Sequence, residues 1–468
     1  MFSAHPDLRV AWYVCEWLIR LGALMVVPAR RSPAATASWL LMIFFLPFPG
    51  LFLYLVIGRP QFSRAREHRW RTLRPFQQAV AERLQAVAGC DAGDIGEFAR
   101  KLGRMPSVGG NSAELIDDYD EAVDRLVADI DRAKRQVDLL VYIFADDHVG
   151  QRVAAALGRA VIRGVRCRVM FDPVGSHRWR RGTWRLLQTA GIETREALPI
   201  HLLWRRSRAD MRNHRKLFVI DNEIGYAGSQ NIVAKDFRRS VTNRELVARV
   251  TGPAVASMAA VVAADWFIEG CELPSPEDVV LPPSTGDVCL QLLPSGADFP
   301  LECFETLLVW QLHLARSRVV LVTPYFVPDE DVIGALVSAS ARGVAIDLIV
   351  SSVVDQRVVH LAQCSYFEQL LAAGIHIHTY RDFLLHAKNV SIDSKLGIVG
   401  SSNVDLRSFQ LNEEVSLLLH SKTMVAQLEE IQSGYIANSD RIDPAGWRAR
   451  SQLRRIPENL ARLMSPLL

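Results

Sequence analysis

Two stretches of nineteen residues in this chain share one outline, and that repetition limits the fold more than any other feature. NHRKLFVIDNEIGYAGSQN (213–231) and LHAKNVSIDSKLGIVGSSN (385–403) both read H-x-K-x-x-x-x-D-x-x-x-x-x-x-G-S-x-N. His214, Lys216, Asp221, Gly228, Ser229 and Asn231 are answered, 172 positions later, by His386, Lys388, Asp393, Gly400, Ser401 and Asn403. The similarity reaches further out. VDLLVYIF (137–144) answers VVLVTPYF (319–326), RAVIRGVRCRVMFD (159–172) answers SASARGVAIDLIVS (338–351), and LLQTAGI (186–192) answers LLAAGI (370–375). Helix ends, glycine turns and apolar strands recur in the same order. They predict an α/β fold of two homologous lobes, each a mixed sheet flanked by helices, packed about a pseudo-twofold axis.

On a strand, His214 and Lys216 point to the same side about 7 Å apart, with apolar residues following on both faces. Asp221 lies at an odd offset where a polar turn begins, so it either anchors that turn or pairs with a base. The return strand ends in Gly-Ser-x-Asn, where a small residue permits close approach and polar groups can meet an oxyanion. A lone histidine is usually structural and a lone lysine usually solvated. Six matched residue types at identical spacing, twice, do not fit either reading.

Apolar residues make up 49% of the 468-residue chain, and the excess lies at the N-terminus. Thr36–Ile57 carries no charge over 22 positions, enough helix to cross a hydrocarbon core of roughly 30 Å. Trp39 and Tyr54 sit at interfacial positions, and Pro47, Pro49 and Gly50 predict a kink. Ala11–Val27 is less apolar: Glu16 and Arg20 can pair on one face, and the segment either spans or lies in the interface. Arginines at 59, 64, 66, 69, 71 and 74 outnumber Arg30 and Arg31 between the two segments, which places the rest of the chain on the cytoplasmic side. The basic stretch continues as a helix to about Ala88, either on headgroups or solvated.

These divisions predict a transmembrane helical hairpin in 1–60 (apolar segments at about 10–28 and 36–58) and a basic juxtamembrane helical linker in 61–105. One lobe follows in 106–270 and a second in 285–468. Glu272–Pro300, rich in Pro, Ser and Gly, reads as a linker containing one strand. The seven cysteines (15, 90, 167, 271, 289, 303 and 364) are dispersed without C-x-x-C or zinc spacing, so neither disulfides nor a metal site is expected. A net charge of +3 gives no global field for nucleic acid.

The paired motifs resemble the signature of the phospholipase D superfamily, over roughly residues 106–468. Within it the chain looks like the bacterial cardiolipin synthases. The residues that carry this likeness are the kinked segment before IGRP (57–60), YIFADD (142–147), NHRK (213–216), TPYFVPD (323–329), SSNVDLRSFQLNEE (401–414) and RLMSPLL (462–468). The resemblance implies a catalytic set of His214, Lys216, Asp221, His386, Lys388 and Asp393. One imidazole attacks phosphorus while the other protonates the leaving alcohol; His214 is assigned as nucleophile by analogy, and symmetry leaves the reverse open. The lysines, with Asn231 and Asn403, would neutralise the nonbridging oxygens, supported by Gly228, Ser229, Gly400 and Ser401, with no metal or cofactor.

Relatives hold each histidine with a downstream carboxylate. N-R-E (243–245) and N-E-E (412–414) nominate Glu245 and Glu414, which follow the histidines by 31 and 28 residues. The implied substrates are phospholipids, phosphatidylglycerol above all, at the inner membrane of a bacterium, with no nucleic acid partner. Alternatives are a phospholipase D, a phosphatidyltransferase using another lipid, or a phosphodiesterase. The segment 197–212, mixing Leu202, Leu203 and Trp204 with arginines, is either a bilayer-facing rim or an ordinary basic loop.

Overall fold

The apolar N-terminal run folds back on itself. In the computed structural model, which describes residues 6–29, 33–58, 64–199, 211–270, 272–296, 299 and 301–465, Thr36–Ile57 is divided between two helices. α1 (Pro6–Val26) is followed by α2 (Pro33–Phe45) and α3 (Pro47–Ile57). Pro47 lacks the N–H that would extend α2, and its fixed φ suits the first turn of α3. Gly50 lets the two helices touch, since a Cβ there would lie 2.9 Å from Ile43 Cα. At about 1.5 Å per residue, α2 and α3 fall well short of roughly 30 Å. The expected membrane-crossing helix is therefore corrected: no helix among the described residues is long and apolar enough to cross a membrane. α1 has the length but carries charge, with Glu16 and Arg20 paired at 3.1 Å. Val27, Trp39, Ile43 and Tyr54 bury against one another, while Trp17, Phe45 and Phe52 face outward. Arg30, Arg31 and Arg59 lie outside the described residues.

α4 (Arg64–Ala88) and α5 (Gly93–Gly103) lead into the first half of the repeat. That half runs β1 (Ser107–Ile116), α6 (Tyr119–Arg132), β2 (Gln136–Val141), α7 (His148–Ile162), β3 (Arg166–Phe171), α8 (Arg180–Thr189) and β4 (Glu193–Glu196). It continues with β5 (Leu217–Ile220), β6 (Ile224–Gly228), β7 (Asn243–Arg244), β8 (Val247–Thr251) and α9 (Ala254–Gly270). The second half runs β9 (Val288–Ser295), α10 (Cys303–Leu314), β10 (Arg318–Val322), β11 (Phe326–Val327), α11 (Glu330–Ala341), β12 (Ala345–Ser351), α12 (Arg357–Ala372) and β13 (His376–Tyr380). Then come β14 (Leu384–Leu385), β15 (Asn389–Ile392), β16 (Leu396–Gly400), β17 (Val404–Asp405), α13 (Leu406–Gln410), β18 (Glu414–Leu419) and α14 (Lys422–Ala437). β19 (Ser439–Arg441), α15 (Pro444–Arg448) and α16 (Gln452–Leu463) close the chain.

Among the described residues, fifteen strands form one mixed sheet, whose order mirrors about its centre. From the antiparallel pair β1–β9, one side reads β8, β6, β5, β2, β3, β4 and the other β18, β16, β15, β10, β12, β13, with β19 added at the far edge. β2, β3 and β4 run parallel, as do β10, β12 and β13. The turns read from the repeat, at Gly164, Gly191, Gly343 and Gly374, all have positive φ. β9, expected as the one strand of a linker, is the central strand that joins the halves. One face of the sheet packs on α4, α9 and α14; on the other, α6–α8 and α10–α12 build two separate cores.

α4 is neither a free solvated helix nor a bilayer-lying one along its inner side. Trp70, Leu73, Phe76, Val80 and Leu84 form a stripe buried in the same core as α9. A second correction concerns the cysteines: Cys90 and Cys289 form a disulfide, Cα atoms 6.3 Å apart. Their separation of 199 residues hides the pairing in the sequence. They meet because Cys90 N–H donates to Ser107 O at the start of β1, and β1 pairs with β9.

Candidate active site

The two motif aspartates sit away from the histidines. Asp221 and Asn222, like Asp393 and Ser394, have φ between 52° and 57°, the conformation of a two-residue hairpin turn. The Asp221 carboxylate accepts N–H bonds from Lys134, Arg135 and Gln136 at 2.7–2.9 Å, fastening the turn to the start of β2. Asp393 does the same at β10 with Arg316, Ser317 and Arg318. Of the two readings open for these residues, turn anchoring is the one observed.

Each histidine segment is docked on the opposite half of the molecule. His214 N–H donates to Glu413 O at 2.8 Å, and Glu413 N–H to Arg212 O at 2.9 Å. In the other half β14 pairs with β7, and His386 N–H donates to Arg244 O at 2.8 Å. The carboxylates follow this crossing. His214 Nδ1 lies 2.9 Å from Glu414 Oε1, and His386 Nδ1 lies 2.7 Å from Glu245 Oε1. Glu245 and Glu414 are thus histidine partners, each for the histidine of the other half rather than the one it follows in sequence.

Burial favours the neutral acid at both glutamates, yet the facing histidine and lysine outweigh it and hold Glu245 and Glu414 below the usual carboxyl value. An ionised carboxylate only accepts, so Nδ1 of each imidazole carries the proton and donates it. Burial pushes His214 down to about 4 and His386 to about 3, against the pull of the carboxylates. Both rings are therefore neutral in the empty site, each with an Nε2 lone pair available. His214 and His386 line one cavity of about 230 Å³, together with Asn231, Asn403, Tyr142 and Tyr325.

Lys216 Nζ donates to His214 O at 2.6 Å, and Lys388 Nζ to His386 O at 2.5 Å. Burial lowers Lys216 to about 7 and Lys388 to about 8. Asn231 Oδ1 accepts from Ile143 N–H at 3.0 Å, which fixes the amide beside the cavity. Ser229 and Ser401 face backwards: Ser229 Oγ accepts from Leu246 N–H and Ser401 Oγ from Val415 N–H, both at 3.0 Å, bracing the strands that carry the glutamates. Gly228 and Gly400 admit the same strands, since a Cβ on either would stand 2.4 Å from Leu246 O or Val415 O.

Several residues of the site are not marked by the repeat. Tyr142 sets its ring against His214, centroids 4.7 Å apart, and burial pushes its hydroxyl up to about 12. Arg212 reaches Asp172 at 3.3 Å, and Asp172, raised by burial to about 6, also takes the N–H of Asn213. Asn213 and Arg215 are tied by α9's Asp265 and by Glu413, and Arg66 of α4 reaches Glu413 and Glu269. Arg212, Arg238 and Arg407 line the cavity. Arg212 adjoins NHRK and Arg407 lies within SSNVDLRSFQLNEE, whereas no motif marks Arg238. Residues 200–210 of the proposed basic rim lie outside the described residues. Among the described residues, Asp347, His376 and His378, and separately Glu305, Asp329 and Asp331, are grouped closely enough to hold a metal ion; none of the six lines the cavity.

This fold and site define a phospholipase D-like α/β protein with two histidine–lysine half-sites. The chain matches the family described as cardiolipin synthase, PLD-like domain, over residues 126–266 and 308–434, and the phospholipase D-nuclease N-terminal family over 18–59. It is 34% identical to cardiolipin synthase A of Serratia proteamaculans, over 97% of both chains. It is 33% identical to cardiolipin synthase A of Salmonella paratyphi B, covering 97% of this chain and 99% of the other. The crystal structure of phosphatidylserine synthase from Haemophilus influenzae shares the fold, with TM-score 0.61 and 14% identity over 80% of this chain and all of that one. The chain belongs to the cardiolipin synthase family of phospholipase D-like proteins.

Proposed function

We propose that this chain is a phosphatidyltransferase that makes cardiolipin from two molecules of phosphatidylglycerol. His214 Nε2 attacks the phosphorus of the donor, forming a P–N bond as the P–O bond to glycerol breaks. His386 gives that oxygen its proton. The terminal hydroxyl of the second lipid then returns a proton to His386 and attacks phosphorus, freeing His214. The anionic phosphodiester entering between the rings favours the imidazolium that His386 must become before the first step. Lys216, Lys388, Asn231 and Asn403 serve the nonbridging oxygens.

The observation that carries this reading is the opening of both carboxylate-held imidazoles into a single cavity. Arg212, Arg238 and Arg407 line the cavity, the first two set by Asp172 and Asp355, and present guanidinium groups to an entering phosphodiester. The charged α1 and the short α2 and α3 turn Trp17, Phe45 and Phe52 outward and are suited to insert at the bilayer surface. We place the enzyme at the bacterial inner membrane, on the cytoplasmic side, from the arginine excess after residue 58.

The test is purified full-length protein in phosphatidylglycerol proteoliposomes, with lipid products and released glycerol quantified. Equimolar cardiolipin and glycerol are expected. Phosphatidic acid as the sole product would assign a phospholipase instead. Reactions with His386→Ala quenched in neutral detergent, which spares a P–N bond, should retain label on a peptide containing His214; label found only on His386 in the His214→Ala variant would reverse the roles.

A further inference from the structure

The last helix is turned inside out. α16 packs on α12 through Glu458 and Ala461, 7% and 6% exposed, while Leu453, Ile456, Leu460 and Leu463 stand 80%, 53%, 58% and 54% exposed. Positions 453, 456, 460 and 463 fall on one helical stripe. In a helix bound only to its own protein the apolar stripe faces the core; here the apolar stripe is the face left open.

We propose that α16 lies in the plane of the bilayer, its leucine stripe among the acyl chains of an anionic membrane, and sets the active-site mouth at the headgroups. The stripe continues the apolar N-terminal surface: Ser38 Oγ of α2 donates to Leu463 O at 2.9 Å, so α16 ends against the α2–α3 hairpin. Its flanks are cationic. Arg454 is exposed, and Arg462 is stacked 4.6 Å from the Tyr366 ring and reaches the exposed Glu330 at 3.7 Å. Guanidinium groups beside a lipid-facing stripe complement phospholipid phosphates. Two residues beyond the helix end, Ser465 lines the cavity that holds His214 and His386. A lipid headgroup at the level of α16 is thereby delivered to the site without leaving the interface. This surface is independent of which reaction the cavity performs.

The experiment uses the full chain in proteoliposomes containing phosphatidylglycerol. Cys15, an exposed thiol, is replaced by Ser, and an environment-sensitive fluorophore is attached at Leu453→Cys or Leu460→Cys. We expect quenching by lipids nitroxide-labelled near the headgroup and protection from an aqueous quencher. Quenching by the aqueous agent alone, or protection from both, would overturn the proposal; the second outcome would mean that another copy of the chain covers the stripe. A paired Leu453→Glu, Leu460→Glu variant should turn over vesicle lipid at least ~10-fold more slowly, yet keep its rate on short-chain lipid dispersed in detergent. Equal loss on both would count against a docking role. Should the wild type form no cardiolipin at all, the proposed reaction falls while the quenching result stands.

Discussion

His214 and Glu414 are 200 residues apart in sequence and 2.9 Å apart in space. The same holds in reverse for His386 and Glu245, so neither half-site is complete within its own lobe. A cavity assembled this way exists only when both lobes are folded on their shared sheet. Glu414→Gln should remove the low-field Nδ1 proton resonance of His214 and leave that of His386, and Glu245→Gln should do the opposite. Each should slow turnover by roughly 10²-fold or more, because the amide no longer fixes the tautomer that exposes Nε2. Loss of the same-lobe resonance would contradict the crossed pairing.

Acid should weaken the fold through these rings. An unfolded histidine titrates near 6.5, but His214 and His386 stay neutral down to about 4 and about 3. As pH falls from about 6.5 toward 4 the unfolded chain takes up protons that the folded chain refuses, and stability declines. Glu245 and Glu414, held below 4.5, act in the same sense at still lower pH. The urea midpoint of the ligand-free protein should therefore drop between pH 7 and pH 5. His214→Asn should flatten that slope. A constant midpoint over this range would refute the neutral imidazoles.

The lysines give the opposite edge. With Lys216 at about 7 and Lys388 at about 8, an empty site loses positive charge as pH rises through that window. A phosphodiester such as glycerophosphoglycerol does not titrate there, so any change in its affinity belongs to the protein. Its Kd should rise ~10-fold or more from pH 6.5 to pH 9. Near pH 7.5, binding should take up protons, measurable by calorimetry in buffers of different ionisation heat. Affinity independent of pH would show that the lysines stay charged when the cavity is empty.

Gly228 and Gly400 are held by contact rather than by backbone conformation, since neither has positive φ. Alanine at either would press on Leu246 O or Val415 O, next in sequence to Glu245 and Glu414. Gly228→Ala and Gly400→Ala should each cost about 1–3 kcal/mol, read as a lower Tm, and should slow turnover by displacing the glutamate strands. Unchanged activity in a destabilised variant would separate the two effects.

How far the sequence could be read follows from which relations are periodic. The repeat carried the order of strands and helices, the glycine turns and the six matched motif residues, because identical spacing in two copies reports identical local structure. Thr36–Ile57 went wrong for a local reason: hydropathy counts apolar length, whereas Pro47 and Gly50 turn that length into a hairpin. The crossed glutamates and the central position of β9 are relations between halves, and the Arg66–Glu413 pair joins α4 to the second half. Spacing along the chain carries no information about them.

Cys90 and Cys289 sharpen the question of sidedness. A reducing compartment keeps such a pair open, while the arginine excess after residue 58 argues for the cytoplasmic side. Both hold if the thiols stand together in the cell and close once the protein meets oxidant, which their 6.3 Å Cα separation permits. Acid-trapped cells treated with a maleimide should then show both cysteines alkylated, whereas air-oxidised protein should yield one linked peptide. Closing a loop this long should raise stability by up to about 5 kcal/mol, seen as a higher urea midpoint that reductant abolishes and Cys90→Ser lacks. A bond already closed in trapped cells would put the catalytic half on the oxidising side of the membrane and overturn the cytoplasmic placement.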